Sequence, residues 1–496
     1  MSDPVRLRLV SLDADLDASL AALRGDASRV HRSRALVDAA VAGGGTHYGV
    51  NTGFGALKNV RIDDADVAAL QDNLLRSHAV GVGALLPEAL SRLMLRLKIH
   101  ALGLGYSGVS RPVFERLLEM ERLGLTPVVP SRGSLGASGD LAPLAHLALP
   151  LLGEGQLWDD GRPAPAADVL ARHGLGPVAL GAKDGLALIN GTQFMGAHAA
   201  RIVQKATNLV AVADLVASMS LDALRGSLAP FDARVFDVRP HAGHGATAAN
   251  VRRLLGGSEI LPSHAGCNRV QDPYSLRCVP QVHGASRDAL AYVHQTVETE
   301  LNSVTDNPLV FEGDDGAPLL VSAGNFHGQP LALALDTAAV ALAELGSISE
   351  RRAYLLVDGF DGLPPFLVPG SGLLSGFMIV QYAAAALVSE NKTLCHPASV
   401  DSIPSSKGQE DHVSMGAWGA IKALQVAENV ERVLAMELLC AAQALEYRRP
   451  LRSGHAVEAA HARLRERVAF RTEDRTFEAD LAAATALVTS GALSAL

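Results

Sequence analysis

The sequence predicts a mostly α protein: a core bundle of long helices preceded by a loop-rich N-terminal portion. Three observations carry that prediction. Apolar residues make up 48% of the chain while aromatics reach only 4%, and Ala and Leu abound, a balance that favours closely packed helices over sandwiches or barrels. In the second half Leu290, Val293, Val297, Leu301 and Val304 recur at spacings of three and four, which lays one apolar stripe along a helix. Nothing alternates polar and apolar residues as a buried sheet would. The boundary falls near residue 195, with an N-terminal portion 1–195 and a bundle 196–496 that read as one integrated unit.

The 496 residues suffice for one large core or two to three smaller ones. A formal net charge of −9 with no basic cluster argues against nucleic acid and against an anionic membrane surface as partners. Cys267, Cys278, Cys395 and Cys440 lie far apart without C-x-x-C spacing, so neither a zinc site nor a disulfide framework is expected. The N-terminus is charged throughout and lacks the apolar core of a signal peptide. No uninterrupted apolar run approaches the roughly 18 residues that span a bilayer. A soluble, cytoplasmic protein is expected.

Residues 1–45 form a modest amphipathic start that ends in the hinge Gly43-Gly44-Gly45. The loop from His47 to Gly55 is too punctuated by glycine for a helix. Its Tyr48 either packs or is carried over a pocket, since loops commonly bear functional groups. Residues 63–104 read as helices and contain His78, which in isolation is an ordinary helix residue. Next come Gly133-Ser134-Leu135-Gly136-Ala137-Ser138-Gly139-Asp140 and the apolar run Leu141 to Leu152. Three glycines at a spacing of three describe a backbone that bends tightly. A phosphate loop is excluded, because no Gly-Lys-Ser/Thr ending and no preceding strand are present. A serine-hydrolase elbow is excluded too, because Ser138 is not framed as G-x-S-x-G.

A chemical reading remains for that turn. The Gly139 nitrogen, with no side chain to block its approach, attacks the Ala137 carbonyl. Loss of water from the ring and from the Ser138 side chain leaves an exocyclic methylene. The product, a methylidene-imidazolone (MIO), is an electrophile that no standard side chain supplies.

Beyond the turn, residues 153–184 are rich in Gly, Pro and Asp and read as surface loop or hairpin. Leu186–Ile189 runs into Asn190-Gly191 and a long apolar helix to about residue 225, with Asn190 near its start. From 229 to 284 the pattern is irregular, and His241 and His244 read as loop residues because no third ligand accompanies them. Asp306-Asn307-Pro308 breaks the helix that carries the apolar stripe. Further helices are predicted over about 330–352 and 414–446, and their wide apolar faces suggest cover by other subunits. Gln409-Glu410-Asp411-His412-Val413-Ser414-Met415 would start the last of them, where acidic residues also suit the helix dipole.

The stretch GSLGASGDLAPLAHLALPLLGEG closely resembles the signature of the MIO ammonia-lyase family, which contains histidine, phenylalanine and tyrosine ammonia-lyases and related aminomutases. The resemblance runs from about residue 40 to about 470 and includes SERR at 349–352, LPPFLV at 363–368 and SGFMI at 375–379. It implies the fumarase/aspartase-like fold of that family. It also implies an MIO formed autocatalytically from Ala137, Ser138 and Gly139, with no metal or nucleotide required, and a homotetramer whose active sites draw residues from more than one subunit.

The family's residues carry over at matching positions. YGVNTGFG resembles the lid loop and makes Tyr48 the base for the β-proton. A free tyrosine has a pKa of about 10, so it needs positive charge or helix dipoles nearby. QDPYSLRC resembles the substrate-binding segment, with Arg277 on the substrate carboxylate, Tyr274 and Gln271 beside the prosthetic group, and Tyr274 a competing base. Asn190 matches an asparagine that hydrogen-bonds the MIO region, and Phe326 of Asn325-Phe326-His327 forms an apolar wall. The reaction implied is 1,2-elimination of ammonia from an α-amino acid. Whether the substrate attaches through its amine or its ring stays open.

Two positions resemble the histidine branch. QEDHVSM differs from the N-Q-D-V of the phenylalanine and tyrosine enzymes, and Glu410 suits an imidazole N–H far better than a bare phenyl ring. His78-Ala79 is likewise closest to histidine lyases. L-histidine, giving trans-urocanate, is therefore the expected substrate. The rivals are another MIO lyase or a 2,3-aminomutase, and a non-catalytic helical scaffold. Gln329 departs from a common glutamate, Asp358–Asp361 matches nothing in the family, and neither do the first forty residues.

Overall fold

The computed structural model describes residues 4–45, 47–53, 61–63, 66–370 and 372–496. Phe54 and Gly55 of the loop assigned as the lid lie outside them. Helices dominate, as expected, and the described strands form three two-stranded antiparallel sheets. The chain forms two compact units. The first comprises Met1–Arg201, His294–Asp336 and Pro397–Ile421; the second comprises Ile202–Val293, Thr337–His396 and Lys422–Leu496. The first therefore continues past residue 195 and takes in two later segments.

The first unit is organised around the helix Glu88–Gly103. Pro87 leads into it and Glu88 places a negative charge at its positive end. From Leu93 to Gly103 every residue is buried, so this helix is covered on all sides, and Lys98 and His100 lie inside the core with the leucines. The three two-stranded sheets belong to this unit: Val82–Leu85 with Pro130–Arg132, and the hairpins Gln156–Asp159 with Arg162–Pro165 and Leu309–Glu312 with Pro318–Val321. The second falls in the region read as loop or hairpin. Its turn is Asp160-Gly161, both at positive φ, as a two-residue hairpin loop demands.

Val50, fully buried against Val37 and Val310, anchors the loop that carries Tyr48. Burial of such a valine contributes about 1.5–3 kcal/mol. Asn51 fastens the same loop through its side chain, accepting from the His47 N–H at 2.8 Å and donating to the Gly45 carbonyl at 2.8 Å.

In the second unit the segment 229–284 is more ordered than its composition suggests. Ala242–Leu254 is a helix of thirteen residues, with His241 at its N-cap and His244 buried within it. Scattered Gly, His and Thr hid a helix whose inner face is Thr247, Ala248, Val251 and Leu254. The core of this unit holds the ion pair Arg352–Glu437, whose Nε···Oε1 and Nη2···Oε2 distances are 2.6 and 2.9 Å, both side chains fully buried.

The helices Gln193–Ala223 and Gln329–Val357 are long and apolar enough by length and composition to cross a membrane. Of their most apolar windows 72% and 67% is buried within the protein, which marks them as core helices. The last long helix runs Gly416–Glu446. Gln409–Met415 therefore precedes it, and Glu410 lies outside its first turn. The helix dipole does not account for that carboxylate.

Candidate active site

The turn at 133–139 has the tight backbone its glycines predict. Gly133, Gly136 and Gly139 have φ of 127°, 84° and 80°, and Ser138 joins them at 52°, a left-handed conformation that costs a non-glycine residue about 1–2 kcal/mol. Gly139 N–H reaches back to the Gly136 carbonyl at 3.4 Å. On its other side the turn is strapped to Asn190-Gly191: Asp140 N–H donates to the Gly191 carbonyl at 2.8 Å, and Gly191 N–H donates to the Ser138 carbonyl at 3.4 Å. The approach is so close that a Cβ on residue 139 would lie 2.1 Å from the Gly191 oxygen. Glycine is required there by contact as well as by conformation.

Asp140 secures the turn from below. Its buried carboxylate accepts the Met195 N–H at 3.0 Å, and burial pushes its carboxyl up to about 7. The late segment is tied to the same turn. Met415 N–H donates to the Leu135 carbonyl at 3.1 Å, and a Cβ on Gly136 would lie 2.3 Å from Ser414 Oγ.

Ser138 opens onto a cavity of about 570 Å³ whose polar lining includes Tyr48, His78, Asn190 and Glu410. That volume lies within the range usual for small-molecule sites. Leu70, Leu74, Leu141, Leu186 and Ile189 form apolar walls. His78 ends the helix Val67–His78, and its Nδ1 lies 3.0 Å from Ser77 Oγ. Burial lowers the His78 imidazole below its ordinary range, while a backbone hydrogen bond to Leu74 and the Glu410 carboxylate oppose the shift. Glu410 is held by the Ser405 hydroxyl, which donates to Oε2 at 2.7 Å. The cavity thus offers an anionic acceptor, a phenol and an imidazole around the serine of the tripeptide.

Asn190 ends the short helix Asp184–Ile189 and precedes the helix Gln193–Ala223, so it sits between two helices and outside the start of the longer one. Its Nδ2 donates to the Asn307 carbonyl at 2.7 Å and to Asp306 Oδ1 at 3.3 Å. Its Oδ1 is buried with no hydrogen-bond partner among the described residues. A buried amide oxygen without a donor is costly and calls for explanation. The residues fit an MIO formed from 137–139: Ser138 is already in an unusual conformation, residue 139 has no room for a side chain, and Asn190, which lines the same cavity, carries a spare acceptor.

The aromatic amino acid lyase family model matches residues 13–466. The chain belongs to the aromatic amino acid lyase family. The match begins at residue 13, so it reaches well into the forty residues that the signature motifs leave unassigned. This aromatic amino acid lyase is 56% identical over 474 residues to a histidine ammonia-lyase of Sorangium cellulosum, covering 94% of this chain and 92% of that one. Among solved structures it resembles histidine ammonia-lyase from Trypanosoma cruzi, at 43% identity and a TM-score of 0.87, over 94% of this chain and 88% of that one. It also resembles tyrosine aminomutase from Streptomyces globisporus, at 38% identity and a TM-score of 0.88, over 94% and 92% of the two chains.

Tyr48, His78, Ser138, Asn190 and Glu410 come together around one cavity, with Ala137 and Gly139 flanking the serine. Phe326 is half-buried in the turn from Gly324 to His327 and is not among the described residues lining that cavity. Gln271, Tyr274 and Arg277 belong to the second unit. There Gln271 and Arg277 line another cavity, of about 910 Å³, and the guanidinium of Arg277 lies 4.4 Å over the ring of Tyr274, which is 70% exposed.

Sequence reading missed the buried ionic groups behind the lyase turn. Lys98 Nζ donates to the Asn190 carbonyl at 2.6 Å, and Lys183 Nζ pairs with Asp306 Oδ2 at 2.8 Å. One signal was available: the residues one, three and four positions from Lys98 on either side (Met94, Leu95, Leu97, Ile99, Ala101 and Leu102) are all apolar.

Proposed function

We infer that this lyase removes ammonia from L-histidine by non-oxidative 1,2-elimination, giving trans-urocanate and opening histidine breakdown. The observation that carries the reading is Glu410 on the same cavity as Ser138, an anionic acceptor for an imidazole N–H where a phenyl ring would leave it without a partner. The high identity to proteins named histidine ammonia-lyase supports it.

The MIO from Ala137-Ser138-Gly139 would supply the electrophile, activating either the departing amine or the β-proton. The chain's own side chains do the rest. Tyr48 takes the β-proton through its phenolate oxygen, with Tyr274 the competing base. Glu410 and His78 orient the imidazole ring, and the apolar walls exclude water. Asn190 offers its spare amide oxygen beside the tripeptide, and Phe326, which is not among the described residues lining the cavity of its own chain, would add an apolar wall only from a neighbouring copy. Arg277 binds the substrate carboxylate in a bidentate fork, flanked by Gln271.

We assign Gln271, Tyr274 and Arg277 to the site of a neighbouring copy in a soluble, cytoplasmic homotetramer. Leu333, Val340 and Tyr354, separated by multiples of seven residues on one long helix and each more than 40% exposed, support burial between subunits. Two inactive variants test the sharing. Ser138→Ala and Arg277→Ala, each dead alone, are expected to regain urocanate production when co-expressed. Failure of mixed tetramers to regain any would place all the groups on one chain.

The substrate is tested by offering purified protein histidine, tyrosine and phenylalanine in turn and following ultraviolet absorbance. Urocanate from histidine alone is the expected result. Cinnamate or coumarate would refute the assignment, and a β-amino acid would identify a mutase. Glu410→Gln should lower kcat/KM for histidine by about 10- to 150-fold, the loss of a charged hydrogen bond of about 1.5–3 kcal/mol. An unchanged kcat/KM in that variant would remove Glu410 from substrate recognition.

A further inference from the structure

The buried amine of Lys98 has no place in the elimination, yet it lies one peptide away from the serine carbonyl. Lys98 is 2% exposed, and its ammonium donates to the Asn190 oxygen at 2.6 Å. That oxygen belongs to the same peptide group as the Gly191 N–H, which donates at 3.4 Å to the carbonyl of Ser138. The two ends of one peptide thus connect a buried cation to the amide of Ser138 and Gly139.

We propose that Lys98 is a positioning residue for formation of the prosthetic group: its charge on the Asn190 carbonyl strengthens the Gly191 N–H as a donor to the Ser138 oxygen while Gly139 closes on Ala137. The inference rests on the MIO assignment above and adds the residue that promotes its formation.

The chemistry of closure makes the Ser138 oxygen the place to act. A peptide nitrogen is a poor nucleophile because its lone pair is delocalised into its own carbonyl. When Gly139 N–H gives up its proton, negative charge is shared between that nitrogen and the Ser138 oxygen. A donor aimed at this oxygen stabilises the reactive form, as in any preorganised oxyanion site. The nitrogen then bonds to the Ala137 carbonyl carbon. The Ala137 oxygen departs as water, its two hydrogens made up from the Gly139 and Ser138 amide protons. A second water leaves as the Ser138 Cα proton and side-chain hydroxyl. Two waters are lost and no oxidant is needed.

The hydrogen-bonded peptide polarises along its length, so a cation at one end sharpens the acidity at the other, and the dry surroundings magnify the effect. Burial pulls the Lys98 ammonium down to about 7, with Asp306 and Asp140 opposing that shift and Lys183 adding to it. Asn190, 1% exposed and tied to Asn307 and Asp306, keeps the relay in register.

The test reads mass instead of turnover. Full-length chain from a short pulse of cell-free synthesis is followed by intact-mass spectrometry. Wild type two waters lighter than its sequence establishes the MIO independently; wild type at full mass would sink that assignment and not merely this one. Folded Lys98→Met, checked by circular dichroism, is expected to lose the two waters at least about tenfold more slowly. Lys98→Arg, which keeps a cation, should recover part of the rate. Lys98→Gln, a neutral donor, should stay slow. Closure at the wild-type rate in folded Lys98→Met or Lys98→Gln would overturn the proposal. A series in which no neutral variant folds would overturn it as well, since Lys98 would then serve folding and not ring closure.

Discussion

Ser138→Ala is expected to abolish urocanate formation, with kcat lower by a factor on the order of 10⁴ or more, as for removal of the group that carries the covalent step. The fold should be untouched. Ser138 is half-buried with its side chain toward the cavity, and alanine meets the same left-handed conformation at the same cost. The substitution separates the two dehydrations. Ring closure uses only backbone atoms, whereas the methylene needs the serine hydroxyl. The variant chain should therefore be one water lighter than its sequence at most, where wild type is two. Assay of ammonia release beside intact mass checks both halves. A Ser138→Ala protein that still deaminates histidine at a comparable rate would remove the electrophile from the mechanism.

The parts of this lyase that were legible in the sequence are those where chemistry or periodicity is local. The stripe from Leu290 to Leu301 and the apolar runs after Gln193, Gln329 and Gly416 became the long helices, with Val304 falling beyond the helix end at Leu301, since a 3.6-residue period states which face is buried without reference to any partner. The glycine pattern at 133–139 likewise prescribed its own turn. Ala242–Leu254 was not legible, because Gly243, His244, Gly245 and Thr247 are weak helix formers crowded into its first two turns, and packing of its inner face decides the matter. Lys98 and Lys183 were missed for another reason. Their partners, the Asn190 carbonyl and Asp306, are 92 and 123 residues away, and nothing local to a lysine announces so distant a neighbour. Glu410 shows the two kinds of signal at odds. Local charge pattern put it in a helix start, whereas it lies in the extended segment before the helix, paired with Ser405, and reaches the cavity from there.

Gly139→Ala should remove the prosthetic group altogether and weaken the fold. A single methyl is enough because of where it would point: 2.1 Å from the Gly191 oxygen, 2.7 Å from its carbonyl carbon and 3.1 Å from its nitrogen. All three are backbone atoms, so no rotamer change relieves the clash. Gly191 is itself pinned, its oxygen and N–H engaged by Asp140 and Ser138 and its own Cβ position only 2.5 Å from Gln193 Oε1. The turn must then part from the Asn190-Gly191 segment, which takes the Gly139 nitrogen out of the arrangement in which it can close on Ala137. The expected cost is about 3–5 kcal/mol of stability, the range reserved for core clashes and broken hydrogen-bond networks. Gly161→Ala is the matched control. It has a similar φ, 74° against 80°, but nothing within 4 Å of its Cβ position, so it carries the conformational strain alone, about 1–2 kcal/mol. Chemical denaturation and intact mass on both variants decide the matter. If contact with Gly191 is what demands glycine, Gly161→Ala loses two waters as wild type does, while Gly139→Ala keeps its full sequence mass and unfolds at markedly lower denaturant. Equal stability losses, with both chains two waters lighter, would show that the close approach of the two segments is dispensable for building the electrophile.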